Sequence, residues 1–330
     1  MLRMKIRAAC ARLIARTLAP INLLDANLVP LDRLLGRKLT VPQVNSIAHA
    51  CRAGGRRFGA YYHWKFRQIA QVATMRTLQR NEAITFVRNN DHSVYGPLDE
   101  AMADPRGLLV AIPHHGHYLQ GIIAMCERLQ VERDVFVFYE SPEAHETNAI
   151  FDAIHQRVFG DAASKVSILH NNRAGLVRAL KELRKGGAVF ILPDVFKHVE
   201  ETYRVPFCGM QRDFMLGSAV IARRSNARIL PVVAQPMRDL FGFANQFGSQ
   251  IEAGLTDGSP EGDLHSDYRT TLSMFRSLEP LMEHSLFYWQ YAYSHELIDR
   301  ATGTPPVGVS SAVLLKDPYI NLDQLPPIQI

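Results

Sequence analysis

No stretch of this chain approaches the ~18 consecutive apolar residues that a membrane-spanning helix needs, so an integral membrane protein is not expected. Cysteine is sparse and scattered. Cys10, Cys51, Cys126 and Cys208 show no CxxC spacing, which excludes a disulfide framework and a zinc knuckle and makes a reducing compartment the default. There is no internal repeat. No nucleic-acid-binding signature accompanies the aromatic cluster Phe58, Tyr61, Tyr62, Trp64 and Phe66, so that cluster reads as core or an aromatic cap, and nucleic acid is not an expected partner.

What is present is a globular balance: 47% hydrophobic and 21% charged residues in 330, enough for one large α/β domain with additions or for two small ones. The formal charge of +5 favours an anionic partner. Nucleic acid, anionic lipid and a phosphorylated thioester carrier all fit that charge, which by itself does not choose among them. Five basic residues, Arg3, Lys5, Arg7, Arg12 and Arg16, precede the first acid, Asp25. Between them Leu2, Ile6, Cys10, Leu13, Thr17 and Ile21 recur at steps of three and four and form one apolar stripe on a helix. Two roles for residues 1–24 stay open: a basic amphipathic helix lying in an anionic bilayer interface, or a terminal helix packed on the domain. Arg12 and Arg16 interrupt any secretory apolar core, and a transit peptide is a third reading.

Residues 1–100 read as helical and basic, broken at Gly54, Gly55 and Gly59. From about residue 105 short apolar runs alternate with amphipathic stretches. The runs are Leu108–Pro113, Val135–Tyr139, Lys165–Leu169, Ala188–Pro193 and Arg228–Ala234, with helices expected near 118–130, 145–159, 172–185 and 214–226. Apolar strands separated by helices predict an α/β fold, a largely parallel central sheet flanked by helices. Functional groups then belong at the C-terminal ends of strands. The expected division is 1–100 helical, 101–303 α/β, and 304–330 a proline-rich tail with Pro305, Pro306, Pro318, Pro326 and Pro327.

The first run ends in His114, His115, Gly116 and His117, followed by a helix. Three roles fit this cluster. An imidazole there can be a general base near neutral pH. Histidines this dense resemble the start of an HxHxDH metal motif, although the acid and histidine that motif needs are Leu119 and Gln120. Or the histidines merely hydrogen-bond a turn.

His114 to Leu119, after its strand, resembles the HxxxxD/E block of the lipid A biosynthesis branch of the lysophospholipid acyltransferase superfamily. The second block of that family resembles Ile191-Leu192-Pro193-Asp194 and Val205-Pro206-Phe207-Cys208-Gly209. A small-residue helix over Gly217–Ala222 and the strand Ile229–Val232 follow in order, Arg157 and Gly160 fit between the blocks, and Phe287–Tyr293 resembles the closing aromatic segment. The resemblance spans roughly residues 60–300. It implies a glycerolipid acyltransferase-like fold and transfer of a fatty acyl group from an acyl carrier protein or coenzyme A thioester to a hydroxyl or amine of a lipid-like acceptor. No metal or resident cofactor is implied, and the place of action is the cytoplasmic face of the inner membrane, on an anionic surface. His114 or His115 is then the base, Asp194 a structural or orienting acid, Arg157 and Arg204 phosphate holders, and Gly116, His117, Phe207 and Gly209 further substrate contacts.

One departure stands out. Leu119 occupies the position of the acid that orients the histidine, and the equivalent loss in a serine-protease triad lowers turnover about 10⁴-fold. If His115 is the base, the matching position is Gln120, which carries no charge. Three outcomes are open: a carboxylate supplied from elsewhere, Glu140 or Asp194; slow chemistry on an uncharged acceptor such as a glutamine or backbone carbonyl; or a non-catalytic lipid- or acyl-binding protein. A metal-dependent hydrolase built on the histidine cluster is the remaining alternative.

Overall fold

The computed structural model describes residues 67–289, apart from 69, 143–145, 195–202, 209, 238–239, 255, 257, 283–284 and 286–287. The N-terminal stripe at 1–24, the aromatic cluster 58–66, Gly209 and the tail 304–330 lie outside the described residues.

Helices α1 (Arg80–Asn89) and α2 (Gly96–Ala103) precede β1 (Leu108–Ala111). Then follow α3 (Tyr118–Leu129), β2 (Val135–Tyr139), α4 (Glu146–Phe159), β3 (Val166–His170), α5 (Arg173–Arg184) and β4 (Ala188–Ile191). A hairpin of β5 (Tyr203–Phe207) and β6 (Met210–Phe214) leads to α6 (Gly217–Ser225), β7 (Arg228–Pro236), β8 (Phe243–Phe247), β9 (Ile251–Glu252) and the long α7 (Pro260–Met282). Among the described residues no helix is long and apolar enough to cross a membrane.

The main sheet runs β3-β2-β4-β1-β7-β8, with β9 also paired to β7. All five apolar runs became strands, and every pairing among them is parallel. The antiparallel elements, β8 and β9 on β7 and the β5–β6 hairpin, complete a mostly parallel mixed sheet of α/β character.

Each central strand is apolar on both sides because both sides are covered. In β1, Leu109 and Ala111 belong to one core cluster and Leu108 and Val110 to the other. Strand β4 repeats this with Val189 and Ile191 against Ala188 and Phe190. Side chains of α5, α6 and α7, together with the hairpin, fill the first cluster. Those of α1, α2, α3 and α4 fill the second. Residues 75–101 thus share the core of the sheet rather than forming one of their own.

This layering positions the site. Strands β1 and β4 are neighbours, yet the chain leaves β1 into α3 on one face and leaves β4 toward the hairpin and α6 on the other. Diverging connections at the C-terminal ends of adjacent parallel strands open a crevice there.

Candidate active site

Strands β1 and β4 pair in register from Leu108 opposite Ala188 to Ala111 opposite Ile191. Three residues beyond that last pair stand His114 on one chain segment and Asp194 on the other. Equal travel from a parallel pair brings them together: His114 Nδ1 lies 2.9 Å from Asp194 Oδ1, and the His114 backbone N–H donates to Asp194 Oδ2 at 2.8 Å. Position 119 bears no acid, and the carboxylate beside His114 comes from the segment that follows the neighbouring strand. Leu119 itself is buried in the second core cluster.

Asp194 is fully buried, and it carries three donors. The third is the indole N–H of Trp289, 2.6 Å from Oδ2. A buried carboxylate needs such donors because it has lost its water. A carboxylate only accepts, so Nδ1 of His114 carries the hydrogen, and in the neutral imidazole Nε2 carries the lone pair. The ring of His114 also meets Tyr118 edge-on, with centroids 5.0 Å apart.

Three described residues after α7, Ser285, Tyr288 and Trp289, meet the histidine turn or its carboxylate. His115 Nε2 lies 2.9 Å from the Ser285 carbonyl oxygen, the Gly116 N–H donates to the Tyr288 carbonyl at 3.0 Å, and Trp289 reaches Asp194. Gly116 has φ +58, a left-handed conformation, and a Cβ there would collide with the Ala234 carbonyl oxygen. The glycine lets the turn press onto β7.

His114 opens onto a cavity of about 360 Å³. Its apolar wall is Phe138, Leu176, Ile191, Leu192, Val220 and Ile221, and its polar wall is Tyr139, Glu140, Asn148, Asn171 and Ser218. Tyr139 donates to Asp152 Oδ1 at 3.3 Å, and burial together with that carboxylate pushes its hydroxyl above the ordinary tyrosine range.

The three histidines have separate fates. His114 is at the cavity with a 13% exposed side chain. His115 is buried, and desolvation lowers its pKa from 6.5 to about 4. His117 begins α3, buried and with neither ring nitrogen hydrogen-bonded, and desolvation holds its pKa well below the ordinary value, with Arg67 nearby adding to it. Among the described residues, no group of three or more His, Cys, Asp or Glu is arranged to hold a metal ion.

Other expected site residues are dispersed. Arg157 sits at the far end of α4, nine residues or about 13 Å along the helix from the cavity residue Asn148, and donates to the carbonyl oxygens of Arg76 and Leu78. It is not brought to the cavity. Phe207 is buried beneath the site, edge-on to Trp289 at 5.4 Å and to Phe275 at 5.1 Å, so it supports the indole rather than lining the cavity. Arg204 lies in β5, and its side chain is outside the described part. Glu140, the other candidate for the orienting acid, lines the cavity wall at the end of β2. Strand β4 separates β2 from β1, which puts that strand end roughly 10 Å from the one bearing His114.

Trp289 carries a role that sequence reasoning did not assign. Its signal was the closing aromatic segment, but nothing in the segment says which ring turns inward.

A comparison with curated proteins finds no match. A family model described as bacterial lipid A biosynthesis acyltransferase matches residues 143–280. That span carries Arg157, Asp194, Arg204, Phe207 and Gly209, and begins after the histidine turn, so the fold joins its Asp194 to a histidine outside it. With an α/β sheet, a histidine–aspartate pair at the switch point and this match over residues 143–280, the chain is similar to the bacterial lipid A biosynthesis acyltransferases and is an acyltransferase.

Proposed function

We propose that this acyltransferase moves a fatty acyl chain from an acyl carrier protein or coenzyme A thioester to a hydroxyl or amine of a lipid acceptor, at the cytoplasmic face of the inner membrane, with His114 as general base and Asp194 as its orienting acid. The observation that carries this reading is the 2.9 Å contact between His114 Nδ1 and Asp194 Oδ1 at the mouth of an apolar cavity.

The chemistry follows from the tautomer. Nε2 of His114 takes the proton of the acceptor hydroxyl as its oxygen attacks the thioester carbonyl. The imidazolium that forms is stabilised by the Asp194 carboxylate. The carbon–sulfur bond then breaks, and the proton on Nε2 passes to the departing sulfur, which leaves the ester product and a free thiol. General-base assistance of this kind supplies roughly 10²–10⁴ in rate. The acyl chain lies along Phe138, Leu192, Val220 and Ile221, while Glu140, Asn148 and Asn171 offer hydrogen bonds to the polar part of a substrate. A neutral His115 with a pKa of about 4 is suited to holding the turn, and it takes no proton in this scheme.

The experiment is transfer from a labelled acyl thioester to membrane lipid by the wild type and by His114→Ala. The expected outcome is a turnover roughly 10³-fold or more below wild type, with the protein still folded. Activity within a few-fold of wild type would remove His114 as the base.

A further inference from the structure

We infer that the outward face of α5 is a docking surface for an anionic lipid bilayer, set beside the mouth of the acyl cavity. The inference rests on the reading that the acceptor is a lipid held in a membrane.

The face is read from spacing first. Arg173, Val177, Lys181 and Arg184 follow at steps of four, four and three, which puts them on one side of the helix, with Arg178 at its flank. Gly175, Ala179 and Leu183 point the other way and are buried. The outward side therefore carries cations around an aliphatic centre: Val177 is 60% exposed, and Leu176, one position nearer the N-terminus, is 38% exposed. Arg173, Ala174, Val177, Arg178, Lys181 and Glu182 together line a shallow surface depression, three cations to one acid. Leu176 also lines the cavity that His114 faces, so the patch and the mouth share a side chain.

The cations here differ from five other arginines among the described residues. Arg88, Arg106, Arg128, Arg223 and Arg228 each have a carboxylate partner. Among the described residues no carboxylate pairs with Arg173, Arg178 or Lys181, and Glu182, the one acid in α5, is turned to Lys185 at 3.1 Å. Arg224, at the end of the adjacent α6, extends the basic surface. Arg178 lies over the ring of Phe136 at 5.3 Å, and cations without a carboxylate partner around exposed aliphatics complement a surface that is anionic outside and hydrocarbon within. The 12 residues of α5, about 18 Å long, would lie flat in such an interface, bringing the cavity mouth to the depth at which a lipid's reactive group and acyl chain sit.

The test uses the full chain. Sedimentation is measured with vesicles of phosphatidylglycerol mixed into phosphatidylcholine and with phosphatidylcholine alone, beside acyl transfer to detergent-dispersed lipid. The triple variant Arg173→Gln, Arg178→Gln and Lys181→Gln is expected to bind the anionic vesicles roughly 100-fold more weakly than wild type, because each cation near such a surface contributes about fivefold. Val177→Asp is expected to weaken binding as well, and both variants are expected to keep wild-type transfer in detergent. The binding by wild type should fall as salt rises. Undiminished vesicle binding by the triple variant overturns the inference. So does unchanged vesicle binding combined with loss of transfer from a carrier-protein thioester but not from a coenzyme A thioester, which would make α5 a protein-docking face. Absence of transfer by the wild type in detergent, with α5-dependent vesicle binding intact, would instead count against the chemistry proposed above.

Discussion

The two ends of one sheet use charge in opposite ways. At the N-terminal ends of the strands, Arg106 and Arg228 are both paired with Asp104 and Glu252, at 2.7–2.9 Å, on partly exposed side chains. Side-chain bonds from Arg106 hold both carboxyls below the usual carboxylate range. At the C-terminal ends Asp194 is sealed from water and bonded to a histidine. Water screens the first arrangement, so its four charges contribute little individually and tolerate rearrangement. The second has no water to replace a lost partner. The same β1 strand links both ends, so burial and donor count, more than charge itself, separate the two arrangements.

The largest expected effect is at the sealed end. Asp194→Asn is expected to lower kcat about 10⁴-fold, because an amide turned toward Nδ1 forces the hydrogen onto Nε2 and removes the base. Steady-state transfer kinetics on the folded variant measure this, and a loss smaller than tenfold would place both ends of the sheet in the same class.

Next comes acid stability. His115 has a folded pKa of about 4 against an ordinary 6.5, so below 6.5 the unfolded chain binds a proton that the folded chain refuses until about 4. Stability therefore rises with pH across that window, and His115 accounts for about 3 kcal/mol of the change. His155, also depressed to about 4 by burial, adds in the same direction. Urea midpoints for wild type and His115→Gln at intervals between these pH values give the slope. A variant with the same slope as wild type would show that His115 does not carry it.

The smallest effect belongs to the exposed end. Arg106→Ala is expected to cost roughly 1 kcal/mol or less and to leave kcat unchanged, measured by thermal unfolding and by transfer. A large loss of activity there would join two ends that are separated here.

Most of the fold was legible because β1, β2, β3, β4 and β7 are unbroken apolar runs between amphipathic helices, and burial on both faces requires that pattern. Strands β8 and β9 were not legible: β8 is a five-residue segment with Asn245 and Gln246 inside it, and β9 is two residues long. Their pairing depends on the exposed edge of β7, which no local pattern records. The histidine turn could be located, but not resolved into its members. His114, His115 and His117 look alike in sequence, and only the Gly116 turn pressed against Ala234 sends one ring to the cavity and two into the core.

The sequence by itself determined that a histidine stands at the mouth of a buried strand and that the acid five residues later is missing, since both follow from residue identity and hydrophobic run length. Which of Glu140 and Asp194 stands beside that histidine was decided only by the tertiary structure. Strand order is a global property: it places β4, not β2, beside β1, and an in-register parallel pair carries residue 194 to residue 114 across eighty positions of chain. The inward turn of Trp289 belongs to the same class, because its partner lies 95 residues away and the bond exists only once the core has closed around it.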